Sequence, residues 1–401
     1  HDDPAKQKLF DEFSENTISN FYFPYGIAPN FLINNQLYLI PMVIEESSVV
    51  AAAASSAKFW SEHGGFHAEV VSMKKIGQVH FIWEGNKENL VNKAAELKND
   101  LIRGTRHLTE NMEKRGGGLI NIEIVDMTNE LDNYYQLKAS FDTVDSMGAN
   151  FINTILEEFA LILNRFFSRQ EDWPERERNC EVIMSILSNY TPECLVKTEV
   201  EAKIEAFKNC DNNLSAEKFV SKFEKAVRIA QIDVHRATTH NKGVFNGIDA
   251  VVLATGNDFR AVEAGGHTYA SRNGQYSSLT DVHIENGKMK YSLTIPMALG
   301  TVGGLTSLHP MAKFSLELLN NPNAEQLMMI AASVGLANNY SAVKSLITKG
   351  IQSGHMKMHL FNILNHLGAS KQEKDTAVEY FRERKVSYSS VNDLISNLRE
   401  N

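Results

Sequence analysis

The chain has 401 residues, 43% of them hydrophobic and 22% charged, with a formal net charge of −9. That length predicts two or three domains with ample core, in a composition ordinary for a soluble globular protein. The acidic balance argues against a non-specific nucleic-acid binder, which needs a basic face. Three cysteines, Cys180, Cys194 and Cys210, form no CxxC pair. They cannot staple a chain this long and are expected as free thiols in a reducing cytoplasm. The longest apolar runs, at 39–44 and 49–54, are split by Glu45 and Glu46, so nothing reaches the length of a membrane span. No signal peptide or internal repeat is visible.

From the N-terminus, residues 10–31 are rich in aromatics, with turns imposed by Pro24, Gly26 and Pro29. Residues 37–43 read as a strand. Ser47 or Ser48 then offers a hydroxyl to cap an alanine-rich helix reaching about Trp60. A glutamate just ahead of that helix sits at the rim of a rigid element, a good position for chemistry. Residues 77–187 read as strand (78–84), helix (87–113), strand (119–127), strand (134–142), helix (150–167) and strand (181–187). This β-α-β-β-α-β order marks a ferredoxin-like split unit. No GxGxxG opens a helix after a strand, so it is not a Rossmann unit. Asp145-Ser146-Met147-Gly148-Ala149-Asn150 opens the second helix. It offers free amides and a positive helix end for a phosphate, although any helix start does the same.

Helices are predicted at 199–208 and 216–230. Residues 278–295 alternate like a hairpin turning at Asn286-Gly287. A glycine-rich turn at 300–307 precedes a helical stretch from Ala324 to about Leu367, punctuated by Gly335, Gly350 and Gly354. The charged, amphipathic tail breaks at Gly368 and has the form of a lid. The expected class is α+β. A large mixed α/β catalytic domain (1–70 and 188–349) carries an inserted ferredoxin-like dinucleotide domain (71–187) and a helical C-terminal flap (350–401).

The densest chemistry lies between Arg236 and His267, where Lys242 stands among Asp249, Asp258, Glu263 and five glycines. A lysine held among carboxylates stays charged in a closed pocket and can stabilise an oxyanion. Composition alone reads the same stretch as turns and a solvated lysine. Near the C-terminus His355 and His359 are spaced i,i+4. Met356 replaces the glutamate of HExxH, however, so no metal is expected.

The strings His240-Asn241-Lys242-Gly243, Asn246-Gly247-Ile248-Asp249 and Ala254-Thr255-Gly256-Asn257-Asp258 resemble, in order and spacing, the catalytic core of 3-hydroxy-3-methylglutaryl-coenzyme A (HMG-CoA) reductases. Residues Ile40 to Ala53 resemble that family's glutamate motif, Asp145 to Asn150 its cofactor motif, and Gly354-His355-Met356 its histidine motif. Length and the lack of a membrane anchor match the soluble class II branch. The resemblance implies a four-electron reduction of HMG-CoA to mevalonate and CoA through a mevaldyl-CoA thiohemiacetal and mevaldehyde. NADPH is the expected reductant, with NADH the alternative.

By resemblance, Lys242 stabilises the oxyanion, Glu46 protonates the aldehyde oxygen, Asp258 hydrogen-bonds and tunes both, and His355 protonates the CoA thiolate. Ser48, Arg236, Asn246 and Asn189 line the acyl pocket, with Arg236 clamping the free carboxylate. Asp145, Met147, Gly148, Asn150 and Asn153 fall at the cofactor motif. Thr109 occupies the place where NAD-preferring relatives carry an acid. With Arg103, Arg106, Lys114 and Arg115 nearby, and Glu110 opposing them, the expectation is NADPH. The family also implies a homodimer, or a multiple of one, with sites between subunits.

Three positions depart from the family pattern: Ser47 replaces a common proline, Ser19 a glycine and Phe361 an arginine. The alternatives are the same fold oxidising mevalonate with NAD, or a non-catalytic CoA-binding paralogue.

Overall fold

The computed structural model describes residues 2–211, 213–348, 360–382, 384 and 386–400. Its first elements are α1 (Pro4–Asp11), the hairpin β1 (Tyr25–Ile33) and β2 (Gln36–Val43), α2 (Val49–Ser61), β3 (His67–Met73) and β4 (Lys75–Ile82). There follow α3 (Lys87–Glu113), β5 (Gly118–Asp126), β6 (Tyr134–Asp142), α4 (Ala149–Ser168), β7 (Glu181–Ser188) and β8 (Cys194–Lys203). The next helices are α5 (Ala216–Ile232), α6 (Val234–Ala254) and α7 (Phe259–Ala270), then the hairpin β9 (Thr280–Glu285) and β10 (Lys288–Pro296). Three helices come after it, α8 (Leu305–Leu308), α9 (Pro310–Leu318) and α10 (Ala324–Ile347). Helices at Lys371–Tyr380 and Tyr388–Glu400 lie beyond.

Strands β4 to β7 form one antiparallel sheet in the order β5-β6-β4-β7. With α3 and α4 as its crossovers, this is the ferredoxin-like topology expected from the sequence. Its core follows from periodicity. The apolar residues of α4, Ile152, Ile155, Leu156, Phe159, Ile162, Leu163, Phe166 and Phe167, recur every three or four positions and are all buried. They meet Val79, Phe81, Leu137, Ala139 and Phe141 of the sheet, and Leu97 and Leu101 of α3. A second antiparallel sheet, β3-β8-β10-β9, and the β1–β2 hairpin share another core with α2, α5, α6 and α10. A third apolar cluster, built on Leu360, Leu364, Ala377, Phe381, Val391 and Ile395, joins the C-terminal helices. Among the described residues no helix is long and apolar enough to cross a membrane.

Three local expectations fail for identifiable reasons. The helix expected at 199–208 is instead β8 followed by a short 3-10 turn, Ile204–Asn209. Cys194, Val196, Thr198, Val200 and Ala202 are buried at alternate positions between β3 and β10, so strand pairing overrides the helix-forming Glu and Lys residues. The Asn- and Gly-rich stretch around Lys242 is not a turn but the middle of the 21-residue helix α6. Ser48 stands at the N-cap of α2 but makes no side-chain capping bond, because its backbone is left-handed with φ +74°.

The glycines of α6 serve packing. A Cβ at Gly247 would stand 2.5 Å from the Val334 carbonyl oxygen and 2.8 Å from Asn338 Nδ2 on α10. Reciprocally, a Cβ at Gly335 of α10 would stand 2.7 Å from Ile248 Cγ1. Both helices therefore approach backbone to side chain at their crossing. Gly247→Ala is expected to destabilise the fold by about 1–3 kcal/mol through overpacking, measured by denaturant unfolding. A variant as stable as the parent would show that the crossing relaxes freely.

Candidate active site

Lys242 lies in the third turn of α6, and Glu46 in the turn between β2 and α2. The fold brings these two residues, 196 positions apart, into a direct ion pair. Their side chains are 58% and 36% exposed, so the pair is wet and contributes little to stability. What holds Lys242 in place is the inward side of its own helix turn. His240 Nε2 pairs with Thr280 Oγ1 at 2.7 Å, and Asn339 Nδ2 donates to the His240 carbonyl at 2.6 Å. Asn241 Nδ2 donates to the Ser277 carbonyl, and Asn241 Oδ1 accepts from the Leu279 amide. The Tyr291 hydroxyl, fully buried, closes the network against Asn339 and Thr280. Burial, reinforced by the Arg236 charge, pushes the His240 pKa down to about 3, so this imidazole is a neutral structural group.

Asp258 does not bridge Lys242 and Glu46 as the sequence suggested. Its carboxylate is the N-cap of α7, accepting the amides of Arg260 (3.0 Å) and Ala261 (3.2 Å) and pairing with the Arg260 guanidinium. The expected hydrogen bonds are displaced by these local ones. Arg236, in the first turn of α6, is half-buried, and burial lowers its pKa. Among the described residues its guanidinium has neither a hydrogen-bond nor an ion-pair partner, an arrangement open to an incoming carboxylate. Asn246 follows Lys242 by one turn on the same helical face. Asn189, after β7, packs so closely on α7 that a Cβ at Gly265 would stand 2.7 Å from its carbonyl oxygen. Ser48 lies in the turn that carries Glu46. His355 lies outside the described residues.

At the predicted cofactor motif, Gly148 precedes α4 with φ +93°, and a Cβ there would strike Thr143 Cγ2 at 2.5 Å. Asp145 Oδ1 accepts the Ala324 amide at the start of α10 (2.8 Å), and its carbonyl accepts the Thr301 amide (2.8 Å). Met147 packs its amide on Gly300. Asn150 is exposed on the first turn of α4, whereas Asn153 Oδ1 accepts the Leu187 amide and holds β7. A helix start with small residues and free amides suits a dinucleotide phosphate. Thr109 is buried and donates to Glu113 Oε1 at 2.6 Å, in a cavity between α3 and β5 that Lys98, Arg103 and Arg106 also line. Glu113, one turn beyond Thr109, brings a carboxylate into the same cavity. Lys75, also unflagged by the sequence, is buried against the motif loop and lines a cavity with Met147 and Asn189. Among the described residues no group of three or more His, Cys, Asp or Glu could hold a metal ion.

Comparison with known proteins matches residues 2–360 to the hydroxymethylglutaryl-coenzyme A reductase family. The chain is 36% identical to the 3-hydroxy-3-methylglutaryl-coenzyme A reductase of Archaeoglobus fulgidus, over 97% of this chain and 85% of that protein. It is 32% identical to a probable reductase of the same name from Borreliella burgdorferi, over 90% and 80% of the two chains. Among solved structures, the class II reductase of Streptococcus pneumoniae bound to NADPH is similar, with TM-score 0.77 and 35% identity. That likeness covers 85% of this chain and 89% of the other.

Asp249, two turns beyond Lys242 on α6, faces Glu263 of α7, and among the described residues its buried Oδ1 has no hydrogen-bond partner. Burial, then the Glu263 charge, pushes its pKa up from 3.8 to about 8. The folded chain thus keeps a proton that the unfolded chain releases above about pH 4. The stabilisation is complete below that pH and is lost as pH rises towards 8. Asp249→Asn, which mimics the neutral acid, should flatten the fall of Tm across this window. Parallel Tm–pH curves for variant and parent would refute the protonated carboxyl.

Proposed function

The chain belongs to the hydroxymethylglutaryl-coenzyme A reductase family, and we propose that it reduces HMG-CoA to mevalonate and CoA. Two reduced dinucleotides, bound in turn at the 143–148 loop, would supply one hydride each, the first to the thioester carbonyl carbon and the second to the aldehyde. Arg236 holds the free carboxylate of the acyl group. Lys242 stabilises the oxyanion that develops as the carbonyl carbon becomes tetrahedral, giving the mevaldyl-CoA thiohemiacetal. When that species collapses to mevaldehyde, His355 gives a proton to the departing thiolate. Glu46, already in contact with Lys242, delivers the proton to the aldehyde oxygen at the second reduction. Asp258 orders the start of α7.

The observation that carries this reading is the convergence of Lys242 and Glu46 from distant segments, on a helix that also carries an arginine free of any described protein partner. The same reading divides the chain into a catalytic unit (1–70 and 188–349), a dinucleotide unit (71–187) and a flap (350–401). The segregation of the three apolar cores supports that division. The functional assembly is a homodimer or a multiple of one.

Lys242→Ala should lower kcat for HMG-CoA-dependent NADPH oxidation by about 100-fold or more, with circular dichroism unchanged. Near-parental turnover in the folded variant would overturn the assignment. NADPH is the preferred reductant, because Lys98, Arg103 and Arg106 favour a 2′-phosphate over the opposing Glu113. The expected result is a higher kcat/KM with NADPH than with NADH, and a shift towards NADH in Thr109→Asp. Parental preference for NADH would reverse the cofactor assignment and leave the reaction intact.

A further inference from the structure

Lys75 opens β4 with its side chain 2% exposed. Its ammonium donates to Thr143 Oγ1 and, at 2.9 Å, to the Ser146 carbonyl. Thr143 Oγ1 itself donates to the same carbonyl at 2.6 Å. Among the described residues no carboxylate lies within ion-pair distance of this lysine, although Asp142 and Asp145 are near enough to favour its charge. Burying a cation without a paired anion is costly, so the fold tolerates it only where it has work to do.

Its partners belong to loop 143–148, whose backbone is strained. Val144, a β-branched residue, has φ +48°. The far side of the loop is fixed to other elements, Asp145 to the start of α10 and to Thr301, and Met147 to Gly300. Lys75 supplies the tie on the near side, from the four-stranded sheet. It also lines the cavity shared by Met147, Ala149, Asn189 and Ala261.

We propose that Lys75 is a positioning residue for the dinucleotide: its buried ammonium holds loop 143–148 in the strained form that presents the first amides of α4 to the cofactor phosphates. The inference rests on the reading of this loop as the cofactor site. A fixed positive charge beneath the positive end of α4 adds to the field that attracts an anion there. Burial lowers the lysine's pKa, as its surroundings require, and the two nearby aspartates oppose that shift.

The test uses the full-length protein and two readouts, Kd for NADPH by fluorescence without acyl substrate, and KM for each substrate. Lys75→Met should raise the dinucleotide Kd and KM by about 10-fold or more, the scale of a hydrogen-bonded charge lost, with KM for HMG-CoA unchanged. Thr143→Val, which keeps the lysine and removes its acceptor, should act in the same direction. Thr143→Ser should restore the parental values. If Lys75→Met does not fold, the two Thr143 variants decide alone. An unchanged dinucleotide Kd in the folded variants would overturn the inference, as would equal losses for both substrates, the mark of a general structural role. A parental protein that binds neither NADPH nor NADH would instead overturn the cofactor reading of the loop and this inference with it.

Discussion

The close crossing of α6 and α10 is the constraint on which the rest depends. Gly247 and Gly335 have no side chains because each faces the other helix at contact distance. Around that crossing the sequence His240-Asn241-Lys242-Gly243 divides its labour. His240 and Asn241 are buried and tied to Thr280, Ser277, Leu279 and Asn339, with His240 Nδ1 unpaired among the described residues, and Gly243 admits Asn339. Lys242 alone points out of the core. An exposed lysine ordinarily has wide rotamer freedom. Here its backbone is fixed by three neighbours with no freedom left, so the cation emerges at a defined place beside Glu46.

The fold handles its charges in contrasting ways, and the contrast sorts structural from chemical groups. Lys242 and Glu46 remain wet, which makes their mutual attraction weak and easily exchanged for contacts with a ligand. The same two charges become far stronger partners once a bound substrate excludes water, since attraction rises as the effective dielectric falls. Arg236 is half-buried and, among the described residues, uncommitted. By contrast, Asp249 is kept neutral by its surroundings, and Lys75 is sealed under a loop. The charges the proposed chemistry needs are left accessible or half-buried, and the others are dried out.

Legibility in the sequence tracks the kind of signal. The β-α-β-β-α-β unit was readable because its helices and strands carry long, unambiguous periodicities, as α4 shows. β8 was not, since Thr198-Glu199-Val200-Glu201-Ala202-Lys203 alternates in burial yet is rich in helix formers, and only pairing with β3 and β10 decides between them. The α6 glycines resembled turn signals because composition does not reveal a helix crossing. Glu46 and Lys242, singled out by motif, meet as an ion pair, and Arg236 and Asn246 lie on the same helix α6 as Lys242. Asp258 was found as a residue, but its partners were not, because an aspartate before a helix satisfies the nearest amides first. Lys75 left no trace in the sequence. It is the second of two adjacent lysines, and only the start of β4 three residues earlier than expected turns it inward.

Loop 143–148 and helix α6 are linked by α10. At its start the Ala324 amide binds Asp145, and 15 residues later Asn339 binds the His240 carbonyl and the Tyr291 hydroxyl. At about 1.5 Å per residue these two anchor points lie roughly 22 Å apart along a continuous helix. Such a helix resists stretching because shortening or lengthening it must break backbone hydrogen bonds, and Gly335 pins its middle to α6. The separation between loop 143–148 and the turn of α6 that carries Lys242 is thus fixed by one secondary-structure element, not by the sum of several flexible loops. On the proposed reading, a hydride donor at the loop and an oxyanion partner on α6 need such a fixed span, since reacting atoms must meet within about 3–3.5 Å. The buried tie at Lys75 fixes the remaining end of that span, from the sheet that α10 does not reach.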